Sequence, residues 1–286
     1  RESGDLARPG RVRVRPVDAA LTPPQQLRRA ETSGDSFGPQ SRQLPEFAYA
    51  PWWLPGGQVQ TLWAAAVARR FAGPPPSFER ERWDTPDGDF IDVDLLAAAA
   101  SASATSTTTG RDANDSATGH GSDAPWLVLF HGLEGSSRSH YAQAFASVAL
   151  DAGVNLALPH FRGCSGEINR APRAYHSGDF EEVGWILDRV RARASSPLLV
   201  AGVSLGGNAL LRWAEEAGES ASSVAAAVAA VCAPVDLTAA GHHIGRGFNR
   251  LVYTRMFLRT MKPKALAKLA QHPGLFDRAR LLAARN

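Results

Sequence analysis

Hydrophobic and polar positions change rhythm three times along the chain. From residue 47, "FAYAPWWLPGGQVQTLWAAA" is dense in aromatics, with Pro and Gly fixing its turns. "FERERWDT" and "DFIDVDLL" then alternate apolar with polar residues around "PDGD", the pattern of two antiparallel strands joined at an Asp-Gly turn. Past residue 124 the strands become short and wholly apolar: "PWLVLF", "VNLALPHF", "PLLVAGV" and "VAAAVAAVCAP". Amphipathic stretches separate them, "SHYAQAFASVALDAG", "SGDFEEVGWILDRVRARA" and a helix from Leu205 to about Gly218. Buried strands alternating with helices predict a parallel sheet covered on both faces, an α/β fold preceded by an antiparallel hairpin.

Two stretches fall outside this rhythm. Residues 1–45 are rich in Arg, Pro, Gln, Ser and Gly without periodicity and read as a disordered tail. Residues 97–124 are small and polar and read as a flexible insertion in the domain that occupies 46–286. From 237 to 286 the text is helical and Arg-rich with no further apolar strand, which suggests a cap laid over the strand ends.

The chain has 286 residues, enough to bury a sizeable core. Its 31 Lys and Arg against 28 Asp and Glu give a net charge of +3, and the two signs interleave through most of the text. That argues against a nucleic-acid partner. No run reaches the length of a membrane span, and residues 1–45 lack the apolar core of a signal peptide. Cys164 and Cys232 are far apart, in segments that read as core or its edge, so they form no disulfide framework and a reducing cytoplasm is expected.

The chemistry gathers at "AGVSLGGNALLRW". Gly202-Val203-Ser204-Leu205-Gly206 fits G-x-S-x-G at a strand-to-helix junction, where a sharp turn exposes the serine hydroxyl and the glycines let strand and helix close up. A phosphate loop would need a lysine beside the serine, and none is there. "LFHGLEGSS" ends another strand at the same edge of the sheet. Its Leu133 amide and that of Leu205 are the natural pair to hold an oxyanion, with His131 organising the loop.

With these pieces assembled, the chain resembles the α/β-hydrolase superfamily, and more narrowly its YheT-like (AB-hydrolase family 4) carboxylesterases. "PWWLPGGQVQTLW", "TPDGDFIDVD", "LFHGLEGSSRSHY", "PHFRGCSGE", "YHSGD", "GVSLGGNALLRW" and "RGFNRLVYTRMFLR" carry the resemblance. It implies hydrolysis of carboxylic esters of acyl glycerol or similar lipid-like kind, without a cofactor or metal. Ser204 then maps onto the nucleophile, and Leu133 and Leu205 onto the oxyanion positions. The acid and the histidine of the triad do not map, because family members place them after two later strands. The expectation is therefore an incomplete domain, its last strands and triad partners beyond Asn286, with an uncovered sheet edge prone to aggregate. Asp236, His242, His243 and His272 are the residues weighed as local substitutes, and each of these histidines reads instead as a surface or cap residue. Phe248, Leu251, Met256, Phe257 and Leu258 are candidate walls for an acyl chain. Two alternatives stand beside ester hydrolysis: acyl transfer or thioester cleavage by the same serine, and an inert hydrolase-like binding module.

Overall fold

The computed structural model describes residues 50–67, 75–98 and 124–285. The expected tail and almost all of the expected insertion lie outside these. Contacts divide the chain into Arg1–Pro51 and Trp52–Asn286, and every element below belongs to the second unit.

Six strands form one mixed sheet in the order β1-β2-β4-β3-β5-β6. β1 (Glu79–Asp84) and β2 (Phe90–Leu96) make the antiparallel hairpin that the Asp-Gly turn predicts. Gly88 sits in that turn at φ 78°, and the Thr85 amide donates to Asp89 O at 3.0 Å. β2 also runs antiparallel to β4 (Asn155–Pro159), while β4, β3 (Trp126–Phe130), β5 (Leu198–Val203) and β6 (Ala225–Val231) run parallel. α1 (Gly56–Ala66) precedes the hairpin, and the helices between strands are α2 (His140–Asp151), α3 (Phe180–Arg191), α4 (Leu205–Ala217) and a single turn, α5 (Ala221–Val224).

Period-2 alternation in the central strands builds two cores at once. Val128 and Phe130 of β3, Ala157 of β4 and Leu198 and Val200 of β5 pack against α3 and α4, meeting Ile186, Leu187, Leu210 and Trp213. Their neighbours Leu129, Leu156, Leu158 and Ala201 face α2, whose Ala142, Ala146 and Ala149 let it approach closely. Helices therefore cover both faces, as the continuous apolar runs require.

The sheet margins depart from the reading of hydropathy. β2 is buried throughout, aspartates included. Asp92 accepts from Arg82 at 2.7 Å and Asp94 from Arg80 at 2.6 Å and His160 at 2.8 Å, so no buried charge is left alone. β6, the wholly apolar "AAAVAAV", was expected in the core. Only Ala225 is buried there, because α4 and α5 cover the β5 side and no described strand pairs along its other margin. Cys164 is buried as expected, but Cys232, one residue past β6, is exposed with a φ of 53°.

Residues 237–285, expected to form a cap, are helical: α6 (Leu237–Ile244), a turn α7 (Gly247–Asn249), a π-helical stretch over Arg250–Thr254, α8 (Arg255–Gln271) and α9 (Arg278–Ala283). Asp236 caps α6 by accepting from the Ala239 amide at 2.8 Å. Asp179 occupies the corresponding position before α3 but caps nothing. Its carboxylate is taken by Arg173 at 2.6 Å and by the His176 amide at 2.8 Å.

Candidate active site

β5 breaks into α4 through Ser204, one of three non-glycine residues of positive φ among those described (φ 52°, ψ −116°). Three glycines make this turn possible by close backbone approach. A Cβ on Gly202 would stand 2.5 Å from Gly206 O, and one on Gly206 2.5 Å from His131 O. On Gly207 it would meet Ala233 Cβ and Gly202 O at 2.9 Å. The Ser204 amide is tied to Val231 O at 2.8 Å, and Ser204 O accepts from the Asn208 amide at 3.1 Å. Its hydroxyl does not cap the helix behind it. A strained backbone held by neighbours on every side is how folds hold a reactive side chain in a fixed position.

The His-Gly loop lies directly against this turn, since a Cβ on Gly132 would be 3.3 Å from Ser204 Cβ. His131 is fully buried and organises the loop from within. The Phe161 amide donates to its Nε2 at 3.0 Å, so Nδ1 carries the proton and donates to Gly132 O at 2.7 Å. Burial pushes its pKa down to about 3, which keeps it neutral with both nitrogens engaged. It is not a base for Ser204.

The amides along the loop are almost all in use. Gly132 N–H donates to Tyr141 Oη at 2.9 Å, Glu134 N–H to Tyr175 Oη at 2.8 Å, and Gly135 N–H to Gly132 O at 2.9 Å. The Leu133 N–H donates to nothing among the described residues, and neither does that of Leu205 at the first position of α4. Glu134, at φ 57°, is clamped from the other side. Tyr175 donates to its Oε1 at 2.9 Å and Lys264 of α8 reaches its Oε2 at 2.8 Å. Cys164 lies 3.6 Å from the same ammonium, its thiol kept neutral by burial. α8 is thus fastened to the loop that carries Leu133.

Ser204 and Leu133 open onto a cleft of about 980 Å³. Met256 and Phe257 form part of its wall, as expected of the cap. Leu258 lines a neighbouring cavity of about 470 Å³ instead, and Phe248 and Leu251 face solvent and line neither. Thr61 and Leu62 of α1 and Val252 and Tyr253 of the π-helical stretch complete the wall.

None of His242, His243 and His272 reaches the cleft lining. His242 and His243 are exposed on α6, and His272 bonds Arg170 O at 2.8 Å. His160 is buried against Asp94, and His176 pairs with Asp179. His140 does line the cleft, at the start of α2. Sequence reasoning passed over it, although its position just past the loop after β3 placed it at the ligand-bearing edge of the sheet. Among the described residues no metal-binding cluster and no membrane-crossing helix is present.

A mixed sheet whose fifth strand turns sharply into a helix at a glycine-flanked serine, beside a His-Gly loop, defines the class of α/β hydrolases. The chain belongs to the α/β hydrolase fold family, which it matches over residues 125–279, and within it the chain is YheT-like. It is 38% identical over 195 residues to the protein named "Putative esterase YheT" from Escherichia coli (strain K12), covering 68% of this chain and 51% of the relative. "Phospholipase ABHD3" of Homo sapiens is 28% identical over 70% of this chain and 46% of its own length. A solved esterase of Pyrococcus furiosus, Pf2001, aligns over 66% of this chain and 63% of its own at 17% identity, with a TM-score of 0.43. The chain spans about half the length of the curated relatives it matches.

Proposed function

We propose that the protein is a serine hydrolase that cleaves carboxylic esters of amphiphilic, lipid-like alcohols, with Ser204 as nucleophile. The observation that carries the reading is the juxtaposition at the turn. A hydroxyl held at positive φ and capping nothing lines the cleft with Leu133, and the Leu133 and Leu205 amides are both uncommitted. The apolar wall of Leu62, Val252, Met256 and Phe257 suits an acyl chain, and relatives named as an esterase and a phospholipase point to the same ester class. No cofactor enters the reading.

In this mechanism Ser204 Oγ attacks the ester carbonyl and its proton passes to a general base. The two amides stabilise the negative charge that develops on the carbonyl oxygen, a contribution on the order of 3 kcal/mol per donor. The alcohol leaves with a proton, and water then releases the acid from the acyl-serine. No described histidine is bonded to Ser204, so the reading names no base among the described residues. The same observation favours a second reading, an inert module that holds an ester without cleaving it.

Labelling with a fluorophosphonate probe, alongside turnover of a panel of p-nitrophenyl esters and acyl thioesters, separates the two. We expect labelling that Ser204→Ala abolishes, with esters cleaved faster than thioesters. A folded protein that binds an ester analogue yet resists the probe supports the inert module, and faster thioester cleavage reassigns the substrate. Cytoplasmic placement is part of the same proposal and is checked by fractionation.

A further inference from the structure

Two segments of contrasting chemistry meet at the mouth of the Ser204 cleft. Residues 50–67 contain no charged side chain and carry Trp52, Trp53 and Trp63. Residues 237–276 contain seven Lys and Arg and not one Asp or Glu. The interleaving of charge that marks most of the chain stops here, which corrects the picture drawn from its totals. Hydrogen bonds join the two segments: Gln58 Nε2 donates to Asn249 Oδ1 and Tyr253 Oη to Gln58 Oε1, each at 2.6 Å. Both segments also line the cleft.

The basic side chains divide by type. Lys264 and Lys268 turn inward, onto Glu134 and onto the carbonyls of Asn169 and Ala171, and Lys262 reaches Leu282 O. The four arginines, Arg246, Arg250, Arg255 and Arg259, are exposed and make no side-chain hydrogen bond or ion pair among the described residues. Beside them Leu251 is 64% exposed, with Phe248 and Met256 also open to solvent. Across the join Trp52 is 91% exposed, and Trp53 and Trp63, also exposed, stack edge to face at 4.9 Å. Exposed large apolar side chains on two segments that hydrogen bonds hold together form a candidate interaction surface.

We propose that this rim is a docking surface for an anionic phospholipid bilayer, on which the protein sits peripherally with the cleft mouth toward the lipid. Indole rings prefer the headgroup level of a bilayer, apolar tips enter the acyl boundary, and guanidinium groups pair with anionic headgroups. Charge complementarity selects this occupant. An apolar protein face would bury Trp52 and Leu251 but leave four arginines without partners. The membrane satisfies both halves of the rim. Because this is recognition without chemistry, it stands or falls independently of Ser204 as nucleophile.

Co-sedimentation with phosphatidylcholine vesicles, with and without about a third phosphatidylserine, tests it. Binding to the anionic vesicles is expected to exceed binding to the neutral ones by more than a hundredfold, at about 1 kcal/mol for each of the four arginines, and to weaken in high salt. Arg250→Gln with Arg255→Gln lowers it by about thirtyfold. Trp52→Ala with Leu251→Ser lowers it by about tenfold, and Ser204→Ala leaves it unchanged. Circular dichroism confirms that each variant is folded. Brominated lipid quenches the indole fluorescence of the unaltered protein, a readout that needs no variant. Equal binding to neutral vesicles, no quenching, or undiminished binding by the folded arginine variant overturns the proposal. Arginine-dependent binding to a single-stranded oligonucleotide with none to vesicles does so too.

Discussion

β2 and β6 lie toward opposite margins of the same sheet and invert what their side chains predict. β2 carries two aspartates and is buried along its whole length, whereas β6 is Ala and Val alone and is exposed from its second residue on. In β2 the apolar set, Ile91, Val93 and Leu95, faces the core under α3. The aspartates on the other face are covered by Arg80 and Arg82, which in turn reach Ser165 O and Glu167 in the loop after β4. β6 has α4 behind its inner margin and no described strand along its outer one. Hydropathy fixes which face of a strand prefers burial. What covers the strand decides whether burial happens.

Removing a β2 charge should have the largest effect. Asp94→Ala strands the buried His160 and takes from Arg80 its one carboxylate ion-pair partner among the described residues, and is expected to cost about 3 kcal/mol in urea unfolding. A loss under 1 kcal/mol would mean that water, not the ion pairs, satisfies that face.

The next effect is a dependence on acid confined to this margin. Burial opposes ionisation of Asp89, just before β2, but hydrogen bonds from Asn169, the Arg170 amide and Arg162 outweigh it and bring its carboxyl down to about 2. A carboxylate with a lowered folded pKa stabilises fully above its unfolded pKa near 4, and that contribution is lost as pH falls toward 2. About 2 kcal/mol should therefore disappear over that window, and Asp89→Asn should flatten this limb of the stability profile. Parallel acid limbs for the two proteins would break the assignment.

The smallest effect is expected in β6. Val228→Ser on the exposed strand should change stability by no more than about 0.5 kcal/mol and lower the tendency to aggregate at its uncovered margin. A loss beyond 1.5 kcal/mol would show that something covers β6 in solution, and the contrast with β2 would then vanish.

Much of the candidate site was legible because it is local. The Asp-Gly turn, the apolar β5 and the glycines around Ser204 act through near neighbours and backbone sterics, and all three hold in the fold. The clamp on Glu134 was not legible, since Tyr175 and Lys264 reach it from far along the chain. Neither was the wall given by α1, nor the exposure of Phe248 in α7 and Leu251 in the π-helical stretch, in a segment whose apolar residues read alike. Periodicity identifies the apolar residues of a helix, not which of them find a surface to meet.

The sequence by itself determined the elements, their alternation, and the turn that sets Ser204 between strand and helix, because these follow from sterics and from side-chain period over a few residues. Only the tertiary structure decided which strand is covered, which amides are left uncommitted, and which of the seven basic side chains in residues 237–276 face outward. Those outcomes depend on partners that meet across long stretches of chain, where no local pattern records the encounter.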